Sequence, residues 1–257
     1  MNYEIIDFHT HPFPDADSNI CSHKEFIDMG PEQTKRYLTG LGISRICGSV
    51  IYRDESRGWE KIRKQNDAAL KLREFFGGYY IPGFHVHPDY VKESVAEIHR
   101  MKAEGVNLIG ELVPYMDDWN DYSCAGFSEI LDEAAACGMV VSFHSMGEDE
   151  MDRMVEAHPD TVFIAAHPGE YGSYLRHFAR MRMSRNYYLD LSGYGLFRHG
   201  MLRRGIDEYG VSRFIFGSDY PTCNPAMYIG GVLLDTLITD EEKKQIFSEN
   251  IKRILKL

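Results

Sequence analysis

The chain has 257 residues, 44% hydrophobic and 26% charged, an ordinary globular composition with material for a sizeable core. Its formal net charge of −11 excludes a broad phosphate-binding face, so no nucleic-acid partner is expected. No apolar run reaches the ~18 residues of a membrane span, no basic-then-apolar leader opens the chain, and the cysteines form no CxxC pair; a cytoplasmic protein with reduced thiols and no membrane partner is expected.

Short apolar runs alternate with longer amphipathic segments. Glu4–Phe8 reads as the first strand, Asp15–Met29 as an irregular loop or lid, and Gly30-Pro31-Glu32 opens a helix to about Leu38. Ser44–Ile51 is the second strand and Gly58–Phe76 a charged helix; Tyr79–Val86 is the third strand, followed by a helix over Tyr90–Ala103. Val106–Val113, Met139–Phe143, Thr161–Ala166, Tyr187–Leu191 and Arg213–Gly217 continue as strands. Their helices cover Phe127–Cys137 (with Gly138 as C-cap), Glu148–Ala157, Tyr171–Met183, His199–Tyr209 and Asp240–Leu257. Strands alternating with helices imply a parallel sheet, and at this length a closed (β/α)8 barrel in a single domain is favoured. The first strand–helix turn has no GxGxxG, so a dinucleotide fold gains no support.

Active sites of such barrels sit at the C-terminal ends of the strands. Strand one ends in His9-x-His11; alternation along a strand puts both imidazoles on one face, close enough to share a metal. Strand four carries Glu111, strand five ends at His144, strand six at His167 and strand eight at Asp219. Each has an ordinary alternative: a strand-end or half-buried histidine, a turn residue before Pro168-Gly169, an aspartate N-cap. Glu111 resists one, because a carboxylate in an apolar strand is expensive to bury alone. Together they point to a metal site. His85 and His87 form a second H-x-H pair that could line the pocket mouth or, as His87, contact substrate; His23 could reach it from the first loop. Arg53 is placed to bind a substrate carboxylate, or to pair with Asp54 or Glu55.

IDFHTH, SFH, AAHPG and FGSDYP, in this order and spacing, resemble the amidohydrolase superfamily, closest to the amidohydrolase-related branch that includes aminocarboxymuconate-semialdehyde decarboxylase. The resemblance implies that His9, His11, His144 and Asp219 bind the principal metal, and that His167 holds water or substrate or binds a second metal. The IGE sequence at Glu111 is more similar to TatD-type hydrolases, whose glutamate bridges two metals, and tips the expectation towards two ions. Imidazoles and carboxylates suit Zn²⁺, with Mn²⁺ or Fe²⁺ as alternatives. Asp219 is the expected general base and acid, and Asp7 a support behind His9.

The leading expectation is a metal-dependent hydrolase of a small amide, ester or lactone, using a metal-activated water. Non-oxidative decarboxylation of a small unsaturated or aromatic acid is the main rival. A TatD-like nuclease or a metal-binding module without catalysis follow behind. Homo-oligomerisation stays open, and Tyr115, Trp119 and Tyr122 could line either a pocket or an interface.

Overall fold

In the computed structural model, which describes residues 3–25, 27, 29–196 and 198–257, the apolar runs become short parallel strands. They are β1 (Ile5–Asp7), β2 (Ile43–Gly48), β3 (Tyr80–Phe84), β4 (Leu108–Leu112), β5 (Val140–His144), β6 (Val162–Ala166), β7 (Tyr187–Asp190) and β8 (Phe214–Ile215). They pair in sequence order as one eight-stranded sheet. The sheet closes where Phe8 N–H donates to Phe216 O (3.0 Å) and Asp219 N–H to His9 O (2.8 Å), beside a Thr10–Tyr220 bridge. The (β/α)8 barrel is therefore as the alternation of elements indicates.

The amphipathic segments form α1 (Pro31–Gly40), α2 (Gly58–Phe76), α3 (Val91–Ala103), α4 (Ala125–Cys137), α5 (Glu148–Ala157), α6 (Tyr171–Met183) and α7 (Met201–Tyr209). Gly138 ends α4 in the left-handed conformation that its missing Cβ makes cheap. One helix has no counterpart in the sequence pattern: α8 (Pro225–Leu233), capped by the Asn224 side chain. Its residues are apolar on all sides, so no helical periodicity marks it. The closing segment is α9 (Asp240–Lys244), a π-helical turn (Gln245–Glu249) and α10 (Asn250–Leu255). Among the described residues no helix is long and apolar enough to cross a membrane.

Most strands are shorter than the apolar runs that predict them, and after β1, β2, β3 and β8 the backbone turns away at the C-terminal end. His9 and His11 lie beyond β1, and β8 stops four residues before Asp219. Two glycines let the backbones close there. A Cβ on Gly48 would sit 1.8 Å from Thr10 O, and one on Gly110 would sit 2.0 Å from Ser142 O. The β4–β5 register shifts between Ile109 and Leu112, and the Gly110–Glu111 peptide inside that interval is cis. Below the rim, Ile6, Phe8, Cys47, Leu108, Val140, Ile164 and Ile215 form an apolar cluster with Ile251 and Leu255 of α10.

Candidate metal centre

Glu111 is the hub. Its Oε2 lies 3.0 Å from His9 Nε2 and 3.1 Å from His11 Nε2, and its Oε1 lies 3.1 Å from His144 Nδ1 and 3.6 Å from His167 Nε2. Asp219 Oδ1 completes the group, 3.7 Å from the Nε2 atoms of both His9 and His11. The structure thus brings His9, His11, Glu111, His144, His167 and Asp219 together. His167 and Asp219 reach it from left-handed backbone (φ 67° and 62°), an uncommon conformation for residues with a Cβ.

The remaining ring nitrogens define what the cluster can hold. His9 Nδ1–H donates to Asp190 Oδ2 (2.9 Å), and His11 Nδ1–H donates to Ser49 O (3.1 Å). With the protons committed there, two Nε2 lone pairs face one another at 3.2 Å, with a carboxylate oxygen between them. Only a cation relieves that arrangement, so these residues fit a divalent metal held by His9, His11, Glu111 and Asp219, with His144 and His167 beside it. The electrostatics agree. Burial disfavours charge on His9, yet Glu111 and Asp190 hold its pKa well above the usual range. Glu111 is driven well below its own despite burial, by the charge of His9 and hydrogen bonds from the histidines. The hole takes up positive charge, as a proton or as a metal.

Supports outside the cluster set these orientations. Ser192 Oγ lies 3.1 Å from His167 Nδ1 and 2.9 Å from His9 Nδ1, and its hydroxyl also donates to Asp190. Burial, with the charge of His9 and His144, lowers the pKa of His167 against the pull of Glu111, which favours a neutral ring. Asp7 accepts from Ser218 N–H (2.9 Å) and Ser218 Oγ–H, tying β1 to the turn that delivers Asp219; burial pushes its pKa up to about 7. Asp190 and Ser192 escaped the sequence reading. The available signal was a carboxylate at the end of an apolar strand, the same one that singled out Glu111.

Other expected residues fall into two groups. Arg53 is exposed at the rim, and no carboxylate among the described residues pairs with it, since Asp54 engages Lys64. It lies near enough to Tyr115 to act on that hydroxyl electrostatically. Tyr115, 60% exposed, packs edge-on against His144 with ring centroids 5.4 Å apart. His87, expected at the substrate, is not there: it is buried, its Nε2–H donates to Asp117 O (2.9 Å), and its Nδ1 accepts Asp89 N–H (3.1 Å). Trp119 and Tyr122 are core residues, and the Tyr122 hydroxyl donates to His144 O (2.8 Å).

A cavity of about 340 Å³ adjoins Asp219, walled by Phe13, Met29, Tyr37, Tyr220 and Cys223, with His23 and Asn19 also on its lining. Cys223 links the two spaces, its Sγ 3.7 Å from Asp219 Oδ2. The first loop covers this cavity; Phe26 and Asp28 of that loop lie outside the described residues.

The fold is shared with solved structures of low sequence identity. 2,6-Dihydroxybenzoate decarboxylase from Rhizobium superposes with a TM-score of 0.78 at 14% identity, covering 99% of each chain. 5-Carboxyvanillate decarboxylase from Novosphingobium aromaticivorans, complexed with manganese and 4-hydroxy-3-methoxy-5-nitrobenzoic acid, gives 0.68 at 15% identity over 100% of this chain and 97% of that one. A probable 2-pyrone-4,6-dicarboxylic acid hydrolase from Acinetobacter baumannii, with citric acid bound, gives 0.68 at 13% identity over 99% and 100%. No curated protein sequence matches the chain. The model of the amidohydrolase family does match it, over residues 6–257, and the chain belongs to that family.

Proposed function

We propose that the protein is a single-domain, metal-dependent, non-oxidative decarboxylase of a small aromatic or unsaturated acid. The observation that carries this is a cation-binding hole flanked by Tyr115, which packs on His144, with Arg53 acting on the Tyr115 hydroxyl and paired with no carboxylate among the described residues, a layout suited to an acid rather than to a neutral amide or ester. The hydrolase expectation therefore yields to its rival. The fold of aryl-acid decarboxylases in the solved structures supports the same choice. The 2-pyrone-4,6-dicarboxylic acid hydrolase of the same fold keeps hydrolysis as the second reading.

One ion is proposed rather than two. The donor groups His9–His11–Asp219 and His9–Glu111–His167 share His9, whose Nδ1 is committed to Asp190, so both describe one centre. When bound, the ion supplies Lewis acidity towards the substrate's oxygens. Manganese suits a set of imidazole and carboxylate donors as well as zinc does.

The chain's own groups do the rest. Arg53 binds and orients the acid, and Tyr115 covers it against His144. The ring or chain of the substrate extends into the apolar cavity behind Asp219. As the bond between the substrate carbon and its carboxyl group breaks and CO₂ leaves, that carbon gains a proton. Asp219 is placed to relay it, taking the proton from solvent and passing it to the carbon, since its carboxyl lies between the donor cluster and the cavity. His167, neutral beside Ser192, holds a hydrogen bond to a substrate oxygen.

The test is a screen of hydroxybenzoates and unsaturated acids against the Mn²⁺- and Zn²⁺-loaded protein, following CO₂ release, with lactones and esters alongside. CO₂ from one of the acids is expected. Turnover of a lactone or ester with no CO₂ from any acid would move the protein to the hydrolase reading.

A further inference from the structure

The second H-x-H pair stands apart from the metal hole, yet it sits on neither a surface nor an apolar core. His85 Nε2–H donates to Val50 O (3.0 Å), three residues before Arg53. His87 Nε2–H donates to Asp117 O (2.9 Å), two residues after Tyr115. Each histidine of the pair therefore holds the root of one of the two loops that carry the rim residues.

Side chains from α2 join the same two roots. Gln65 accepts the Tyr52 N–H on Oε1 (3.0 Å) and donates from Nε2 to Asp117 Oδ1 (3.3 Å). Lys61 donates to Met116 O and pairs with Asp117 Oδ1 (3.3 Å). His85 Nδ1 faces Asp117 Oδ2 at 3.4 Å, and Asn66 clamps the His85 backbone by accepting its N–H (2.7 Å) and donating to its carbonyl (3.0 Å). The members are almost wholly inside: Lys61 and Asp117 are 4% exposed, His85 1% and Gln65 0%.

Stability alone is a poor account of this construction. A buried Lys–Asp pair loses in desolvation much of what it gains in attraction, and apolar side chains of the same volume often serve as well. Polar groups have one property that apolar packing lacks, which is direction. Apart from the Asn66 clamp on His85, every bond here ends on backbone or a side chain at Val50, Tyr52, Met116 or Asp117, the residues flanking Arg53 and Tyr115.

We infer that the buried network of Lys61, Gln65, His85, His87 and Asp117 is a positioning frame that fixes Arg53 and Tyr115 relative to each other, and so sets how tightly the substrate's acid is held. The inference rests on the proposed role of Arg53. Among the described residues no hydrogen bond or ion pair of the frame reaches a metal-holding residue, so it acts on substrate binding and leaves the ion and the proton transfer alone.

The experiment uses the full-length, Mn²⁺-loaded protein with Lys61→Met, Asp117→Asn and the conservative Lys61→Arg. Hydrogen–deuterium exchange over residues 50–53 and 115–117 should quicken in the first two and stay near wild type in the third. With the acid that turns over, or by equilibrium binding of 2,6-dihydroxybenzoate if none does, KM or Kd should rise about tenfold at unchanged kcat and metal content, the scale of one well-oriented contact. In an Arg53→Gln background, Lys61→Met should add nothing further. Faster exchange with unchanged affinity, or the same loss in both backgrounds, overturns the frame. If Arg53→Gln itself leaves affinity unchanged, the role of Arg53 falls and takes the frame's function with it. If Arg53→Gln weakens binding and Lys61→Met does not, the frame falls alone.

Discussion

The chain contains the same three-residue pattern twice, His9-x-His11 after β1 and His85-x-His87 after β3, and the two pairs have opposite fates. In the first, the acceptors Asp190 and Ser49 O take the Nδ1 protons, which turns both Nε2 lone pairs inward onto Glu111. In the second, the Nε2 protons are spent on Val50 O and Asp117 O, and the His87 Nδ1 lone pair is spent on Asp89 N–H. What separates a ligand pair from a scaffold pair is the acceptor behind the ring, not the spacing. That acceptor comes from another strand or the loop after it, distant in sequence.

Breaking the first pair should do the most damage. His11→Ala or Glu111→Gln should leave the purified protein with almost no bound metal by elemental analysis and no turnover, whereas His87→Ala should keep its full metal content. Asp219→Asn should retain the ion and the fold, because asparagine tolerates left-handed backbone, while turnover falls by about 10²–10⁴. Retained activity would remove Asp219 from proton transfer. Removing the acceptor behind the ring sharpens the comparison: Asp190→Ala should weaken metal affinity about 10–100-fold by competition with a chelator.

The second pair should answer in stability. His87→Ala strands the buried Asp117 carbonyl, at about 1–3 kcal/mol, and should lower Tm without touching the metal. Another buried histidine gives the most graded effect, spread over several pH units. Burial, and next the nearby Arg180, push the His177 pKa down to about 3, and its Nδ1 lies 2.7 Å from the Tyr187 hydroxyl. The unfolded chain takes up that proton near pH 6.5 and the folded one does not, so this contribution is complete above pH 6.5. It is lost as pH falls from there towards 3, by on the order of 5 kcal/mol in all. A flatter Tm–pH profile in His177→Gln over that window would confirm it; an unchanged profile would assign acid sensitivity elsewhere.

Much of this was open to reading in the sequence, for a physical reason. Parallel barrel strands are buried on both faces, so each is a near-continuous apolar run, and a polar residue at its end stands out. His9, His11, Glu111, His144, His167 and Asp219 were found that way, and the structure gathers them. Asp190 carries the same signal, but Ser192 and the Ser49 carbonyl have none, because their roles arise only when strands from distant parts of the chain meet. His87 misled because spacing records which face a residue takes and not what waits there. The α8 helix was missed for want of a polar face to set its period.

Among the described residues no carboxylate pairs with the exposed Arg53, in a protein whose formal net charge is −11. An approaching anion is repelled by the molecule as a whole and drawn in locally, by that guanidinium and by the proposed metal ion. At 0.1 M salt the repulsion is screened beyond about 10 Å, so the arginine's attraction acts over roughly the last 10 Å of the approach. Capture of an acid should therefore be slowed by dilution of salt, the reverse of the steering seen where net and local charge agree, and Arg53→Gln should make that slowing steeper.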